Sequence, residues 1–140
     1  MIRNIGIRYV PIGNHKIKIR SKRNDREKGR DKVMYKNVNK QEKLELKNLV
    51  DYRDGQVVSK TLVQNDSMSM TIFSFDKGEE ISTHAAGGDA MVTVLEGKGR
   101  FTVADEVFYL ETGETLIMPK DIPHAVYGEE RFKMQLIVSY

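Results

Sequence analysis

Cysteine is absent from the 140 residues, which excludes disulfides, thiolate metal sites and cysteine nucleophiles. Long apolar runs are missing as well: none approaches the roughly eighteen residues of a membrane span. The N-terminus lacks the continuous apolar core of a secretory signal, so the chain reads as a soluble, cytoplasmic protein with no membrane partner. A glycine-rich phosphate loop, a nucleophile elbow of the Gly-x-Ser-x-Gly kind and an internal repeat are likewise absent. The length suits one domain. A core of that size buries about two-thirds of the surface that the unfolded chain exposes.

Charge is spread unequally along the chain. Residues 1 to 33 carry 11 Lys and Arg against 3 Asp and Glu, whereas the remaining residues carry 12 against 17. The basic part ends in "RSKRNDREKGRDK", with no apolar residue, and cannot offset its ordering entropy by burial. It is expected to be a solvated, largely disordered extension, and Met34, where the patterned sequence begins, is consistent with an upstream start codon. Two other readings compete. Clustered Lys and Arg attract phosphates, as in a nucleic-acid tail, although Tyr9 is its only aromatic residue. The alternation of "IKI" at 17 to 19 also suits a strand added to a sheet edge.

From residue 34 the texture changes to short apolar runs broken by turn residues. "KLELKNLVDY" (43 to 52) reads as a short helical turn or an extended lead-in. Strand composition follows at 56 to 63, 67 to 75, 89 to 96, 100 to 104, 106 to 111, 114 to 119, 124 to 128 and 132 to 140. Turn signals separate these runs, among them "DKG" at 76 to 78, "GKG" at 97 to 99, "TG" at 112 and 113 and "PKDIP" at 119 to 123. Eight short strands without a long helix predict an all-β antiparallel barrel or double-sheet roll over 34 to 140.

Two segments share a grammar. "GEEISTHAAGGDAMVTVLEG" runs from Gly78 through His84 into a strand ending at Gly97, and "GETLIMPKDIPHAV" runs from Gly113 to a strand opened by His124. Side chains two apart on a strand share a face. If 84 to 86 is extended, His84 and Ala86 therefore point the same way, and Ala90, Val92 and Val94 share one face of the next strand. Two histidines at strand mouths, each after a glycine-led loop, suggest a common pocket inside the barrel.

These segments resemble the paired motifs of the cupin superfamily. The first family motif is a glycine, five residues, His, one residue, His, three or four residues, Glu, six residues, Gly; the spacing is kept here as Gly78, His84, Ala86, Ala90 and Gly97. The second, a glycine, five residues, Pro, one residue, Gly, two residues, His, three residues, Asn, appears as Gly113, Pro119, Asp121, His124 and Gly128. Asp121 replaces a glycine, a mild departure because Asp tolerates left-handed geometry. The resemblance covers roughly residues 40 to 140 and implies a small double-stranded β-helix, or jelly-roll barrel, usually a homodimer.

In metal-binding cupins three histidines and a glutamate hold iron, manganese, zinc or nickel. His84 and His124 match two of those positions, while Ala86 and Ala90 offer no lone pair. Catalytic metal sites generally need three protein ligands plus an open position, so the resemblance implies a degenerate site with at most a weakly bound divalent ion. Asp89, the nearest carboxylate, is one residue off the ligand position and turns inward only if "GGD" forms a bulge. The preferred expectation is a pocket for a small, partly apolar molecule, lined by His84, Ala86, Ala90, Val92, His124 and Val126, with the histidines as polar contacts or proton-transfer groups. The alternatives are a metal-dependent enzyme of the dioxygenase or isomerase type and a regulatory module whose basic tail binds nucleic acid. Met68, Met70, Met91, Met118 and Met134 read as core filling. Tyr127 is expected on the face opposite His124, and Glu79, Glu80 and Glu96 in solvent.

Overall fold

A computed structural model describes residues 7–12, 15–20 and 34–140. The chain divides into two compact units, Met1–Lys32 and Val33–Tyr140. In the first, β1 (Ile7–Ile12) pairs antiparallel with β2 (His15–Arg20). The alternating "IKI" falls inside β2. The polar run from 21 to 33 lies outside the described residues.

The second unit begins with a lead-in that contains a 3-10 helix, Leu46–Leu49. Nine strands follow: β3 (Val57–Gln64), β4 (Met68–Phe75), β5 (Glu80–His84), β6 (Asp89–Glu96), β7 (Lys98–Val103), β8 (Glu106–Glu111), β9 (Thr115–Met118), β10 (His124–Gly128) and β11 (Phe132–Ser139). They form two antiparallel sheets, β5-β10-β7-β8 and β3-β4-β11-β6-β9, the jelly-roll barrel that the turn spacing predicts. The strand β5 is an addition to that expectation. Its composition, "EISTH", lacks a run of apolar residues, because only Ile81 packs against the core.

Alternation decides what is inside. Along β6, Ala90, Val92 and Val94 are buried, while Asp89 and Met91 face outward. The same core takes Met118, Phe132 and Met134 from neighbouring strands of that sheet, and Phe101, Leu110 and Val126 from the other sheet. One end of the barrel is shut by aromatic packing: the Phe75 and Phe132 rings stack at 4.6 Å, and Phe101 meets Phe132 edge-on at 6.0 Å. Burying each such ring contributes about 1.5–3 kcal/mol.

The outer face of the five-stranded sheet carries a second cluster. Val50, Leu62, Val63 and Ile72 are buried there, with Val38, Leu46 and Leu49 of the lead-in packed on them. Met68 and Met70 belong to this cluster, whereas Met118 and Met134 are in the barrel core. Met91 corrects the core-filling expectation: it is 37% exposed, because the alternation that buries Ala90 and Val92 turns it outward. Glu96 also departs from a purely solvated role, since its carboxylate accepts the Tyr52 hydroxyl at 2.6 Å and ties the lead-in to β6. An uncharged apolar row, Met70, Ile137, Met91 and Ile117, crosses β4, β11, β6 and β9 and becomes most exposed at Ile117.

Candidate functional site

The two predicted histidines are cross-strand partners. His124, the first residue of β10, pairs with His84, the last residue of β5, and the ring centroids lie 4.4 Å apart in an edge-to-face arrangement. They sit in one sheet, which was hidden in the sequence because β5 did not separate from β6. Residues 85 to 88 lie outside the strands, so Ala86 is placed by a loop and not by an extended continuation of His84.

Backbone bonds hold this end of the barrel together. The Asp121 N–H donates to the Ala86 carbonyl at 3.0 Å, and the Lys120 N–H donates to the Asp89 carboxylate at 2.8 Å. A third bond runs from the Ala104 N–H to the Pro123 carbonyl at 2.8 Å. The loop ahead of His124 is therefore fixed to the loop ahead of β6. Asp121 adopts φ +62°, the left-handed geometry that the family's glycine position demands. Gly78, Gly97 and Gly113 share that geometry; at Gly97 an added Cβ would also lie 2.0 Å from the Arg131 carbonyl oxygen.

The imidazoles differ in environment but share a local hydrogen bond. His84 is exposed and its Nδ1 lies 2.8 Å from the Ser82 carbonyl oxygen; His124 is buried and its Nδ1 lies 3.1 Å from that of Ile122. Burial lowers the His124 pKa below its ordinary value, and the adjacent His84 pushes the same way against the opposing bond to Ile122. Burial therefore favours the neutral form of His124.

Around them, Ala90, Val92 and Val126 are buried in the core, and Ala86 packs against it with partial exposure. Val103, the cross-strand partner of His124, and Ile81 of β5 are packed on the core while remaining partly exposed. Tyr127 lies on the opposite face of β10, as alternation requires, with Arg100 stacked on its ring at 4.2 Å.

A matching family model, the cupin domain, covers residues 71–140. The chain belongs to the cupin superfamily. Among solved structures it is similar to a protein of unknown function from Streptococcus pyogenes, at 40% identity and TM-score 0.74, with 76% of this chain and 93% of that one covered. A cupin superfamily protein from Desulfitobacterium hafniense matches at 33% identity and TM-score 0.72, covering 75% of this chain and 96% of that one. A cupin 2 conserved barrel domain protein from Leptotrichia buccalis shares 45% identity over 67% of this cupin and 46% of its own chain, with TM-score 0.66. No curated protein matches significantly.

The superfamily's metal can be tested against the donors present. Each imidazole offers a free Nε2 once Nδ1 is bonded to a carbonyl, as metal-ligating histidines do. Beyond that the fit fails: among the described residues no three His, Cys, Asp or Glu side chains gather to hold an ion. Asp89 begins β6 on the outward, exposed side, with its carboxylate engaged by the Lys120 amide. Two neutral donors give neither the ligand number nor the charge of a tight dication site.

A separate recess of about 460 Å³ opens on the outer face of the five-stranded sheet, with Tyr35, Leu44, Leu46, Leu62 and Met70 among its lining. It is remote in sequence and fold from the histidine pair. The imidazole pair, by contrast, joins two acid-base groups across one sheet, with His124 buried. Among the described residues no helix is long and apolar enough to cross a membrane.

Proposed function

We propose that this cupin binds a small, partly apolar molecule at the His84–His124 end of its barrel, with the two imidazoles as its polar contacts. The observation that carries the reading is the imidazole pair at 4.4 Å, beside core-packed apolar side chains that retain partial exposure. Small molecules typically bind in apolar concavities that contain a few convergent polar groups. The alanines at positions 86 and 90 offer no lone pair where the family's metal ligands would project. A thermal-shift screen of small aromatic and aliphatic probes tests it: a stabilising probe should lose its effect in His84→Ala/His124→Ala, and a shift that survives places the ligand elsewhere.

The second reading is a divalent-metal-dependent enzyme of the dioxygenase or isomerase type. The free Nε2 atoms favour it and the missing ligands oppose it. Calorimetric titration with Fe(II), Mn(II), Zn(II) and Ni(II) separates the two. The pocket reading expects dissociation constants weaker than about 100 μM, unchanged in His84→Ala, and tight His84-dependent binding would reverse the preference. A nucleic-acid role would rest on residues 1 to 33 alone, since the rest of the chain is net acidic.

The chain is further read as a homodimer. The adjacent exposed side chains of Met91 and Ile117 support this, because apolar surface on a chain with 31% charged residues is suited to burial against a copy of itself. Ile117→Lys should shift the sedimentation coefficient towards that of a monomer.

A further inference from the structure

This inference rests on the pocket reading and specifies the chemistry of what the pocket takes. Both histidines place Nδ1 against a carbonyl oxygen two residues earlier, at 2.8 Å for Ser82 and 3.1 Å for Ile122. A carbonyl oxygen has lone pairs and no proton, so each Nδ1 must carry the hydrogen. In a neutral ring that leaves Nε2 as an acceptor only. The ion pairs among the described residues all lie elsewhere, so no carboxylate holds either ring in its cationic form. Two cross-strand rings, 4.4 Å apart, thus each keep, in their neutral form, an Nε2 lone pair in place of an N–H.

We propose that the pocket selects an apolar ligand that presents hydrogen-bond donors, namely hydroxyl or amine groups, and rejects a carboxylate of similar shape. A donor ligand satisfies both Nε2 atoms. A carboxylate brings acceptors to acceptors and leaves both Nε2 lone pairs without a donor. The discrimination arises from unpaired polar groups, a larger effect than a change of apolar size.

Two measurements on the full chain at neutral pH test this. Long-range proton–nitrogen NMR of the imidazoles, assigned with His84→Gln and His124→Gln, reads the tautomers directly. Titrations with catechol and with benzoate compare a donor ring with a carboxylate ring. The expected result is Nδ1–H in both rings and catechol binding about tenfold tighter than benzoate, with the preference lost in His84→Ala. An Nε2–H tautomer in either ring overturns the inference, as does benzoate binding as tightly as catechol. Histidine-dependent benzoate binding would leave the pocket reading standing, whereas failure of every probe to bind through the histidines removes both.

Discussion

The two ends of the barrel are built from the same strands and do opposite things. At one end the row Gly128, Gly99 and Leu110 runs beside Phe75, Phe101 and Phe132, whose side chains are fully buried. At the other, the row His84, His124 and Val103 carries two imidazoles beside the alanine positions 86 and 90. The aromatic end has close-packed rings, and the ionisable groups beside them, Asp54, Asp76 and Arg131, are held in ion pairs. The histidine end keeps exposed chain, half-buried apolar surface and lone pairs. The closest aromatic packing therefore lies at the end away from the histidines.

The largest break in that comparison comes from the aromatic end. Phe132→Ala removes the ring that contacts both Phe75 and Phe101 and is expected to cost about 3–5 kcal/mol of unfolding free energy in denaturant titrations. A loss below about 1 kcal/mol would mean that this end does not anchor the fold.

Next in size is a restoration of the histidine end. Ala86→His/Ala90→Glu supplies the two missing family donors beside His84 and His124. Calorimetry should read at least about tenfold tighter Zn(II) or Ni(II) binding than in the parent chain. Because Ala90 is buried, the added carboxylate should destabilise the metal-free protein, and metal should raise its melting temperature again.

A smaller effect follows from the neutral state of His124. Its folded pKa lies below the ordinary value of 6.5, so the unfolded chain takes up the proton first as pH falls. The stability that neutral His124 contributes is complete above about pH 6.5 and is lost as pH drops from there towards the folded value. Denaturant midpoints should fall more for the wild type than for His124→Gln between about pH 7.5 and about pH 5.5. Parallel curves would show that His124 does not couple folding to protons.

The smallest effect sharpens the division between the ends. His84 is exposed, so His84→Ala should change unfolding free energy by no more than about 0.5 kcal/mol while abolishing the thermal shift of a pocket probe. A variant that melts early would make His84 part of the fold's support.

Most of the fold was legible because turn residues punctuate it: Gly78, Gly97 and Gly113 all take positive φ, and the strands from Val57 onward fall between such signals. Two features were not legible. "EISTH" carries too little apolar surface to announce β5, and merging it with β6 concealed that His84 faces His124 within one sheet. Met91 was misjudged because methionine is apolar on either face, and only the register with Ala90 and Val92 fixes its side. At the candidate site, the residue types and spacing were readable, and so was the tolerance of Asp121 for a left-handed turn. The Nδ1 bonds to Ser82 and Ile122 were not, since they depend on backbone carbonyls whose direction no side-chain pattern encodes.

The bonds from Asp121 to Ala86 and from Lys120 to Asp89 have a thermodynamic consequence for recognition. They cross-link the two loops that flank the imidazoles, so the conformational entropy of that region is surrendered when the barrel folds and not when a ligand arrives. On the pocket reading proposed above, a guest would meet a preorganised host, and its affinity would be set by how well its own groups match the two lone pairs.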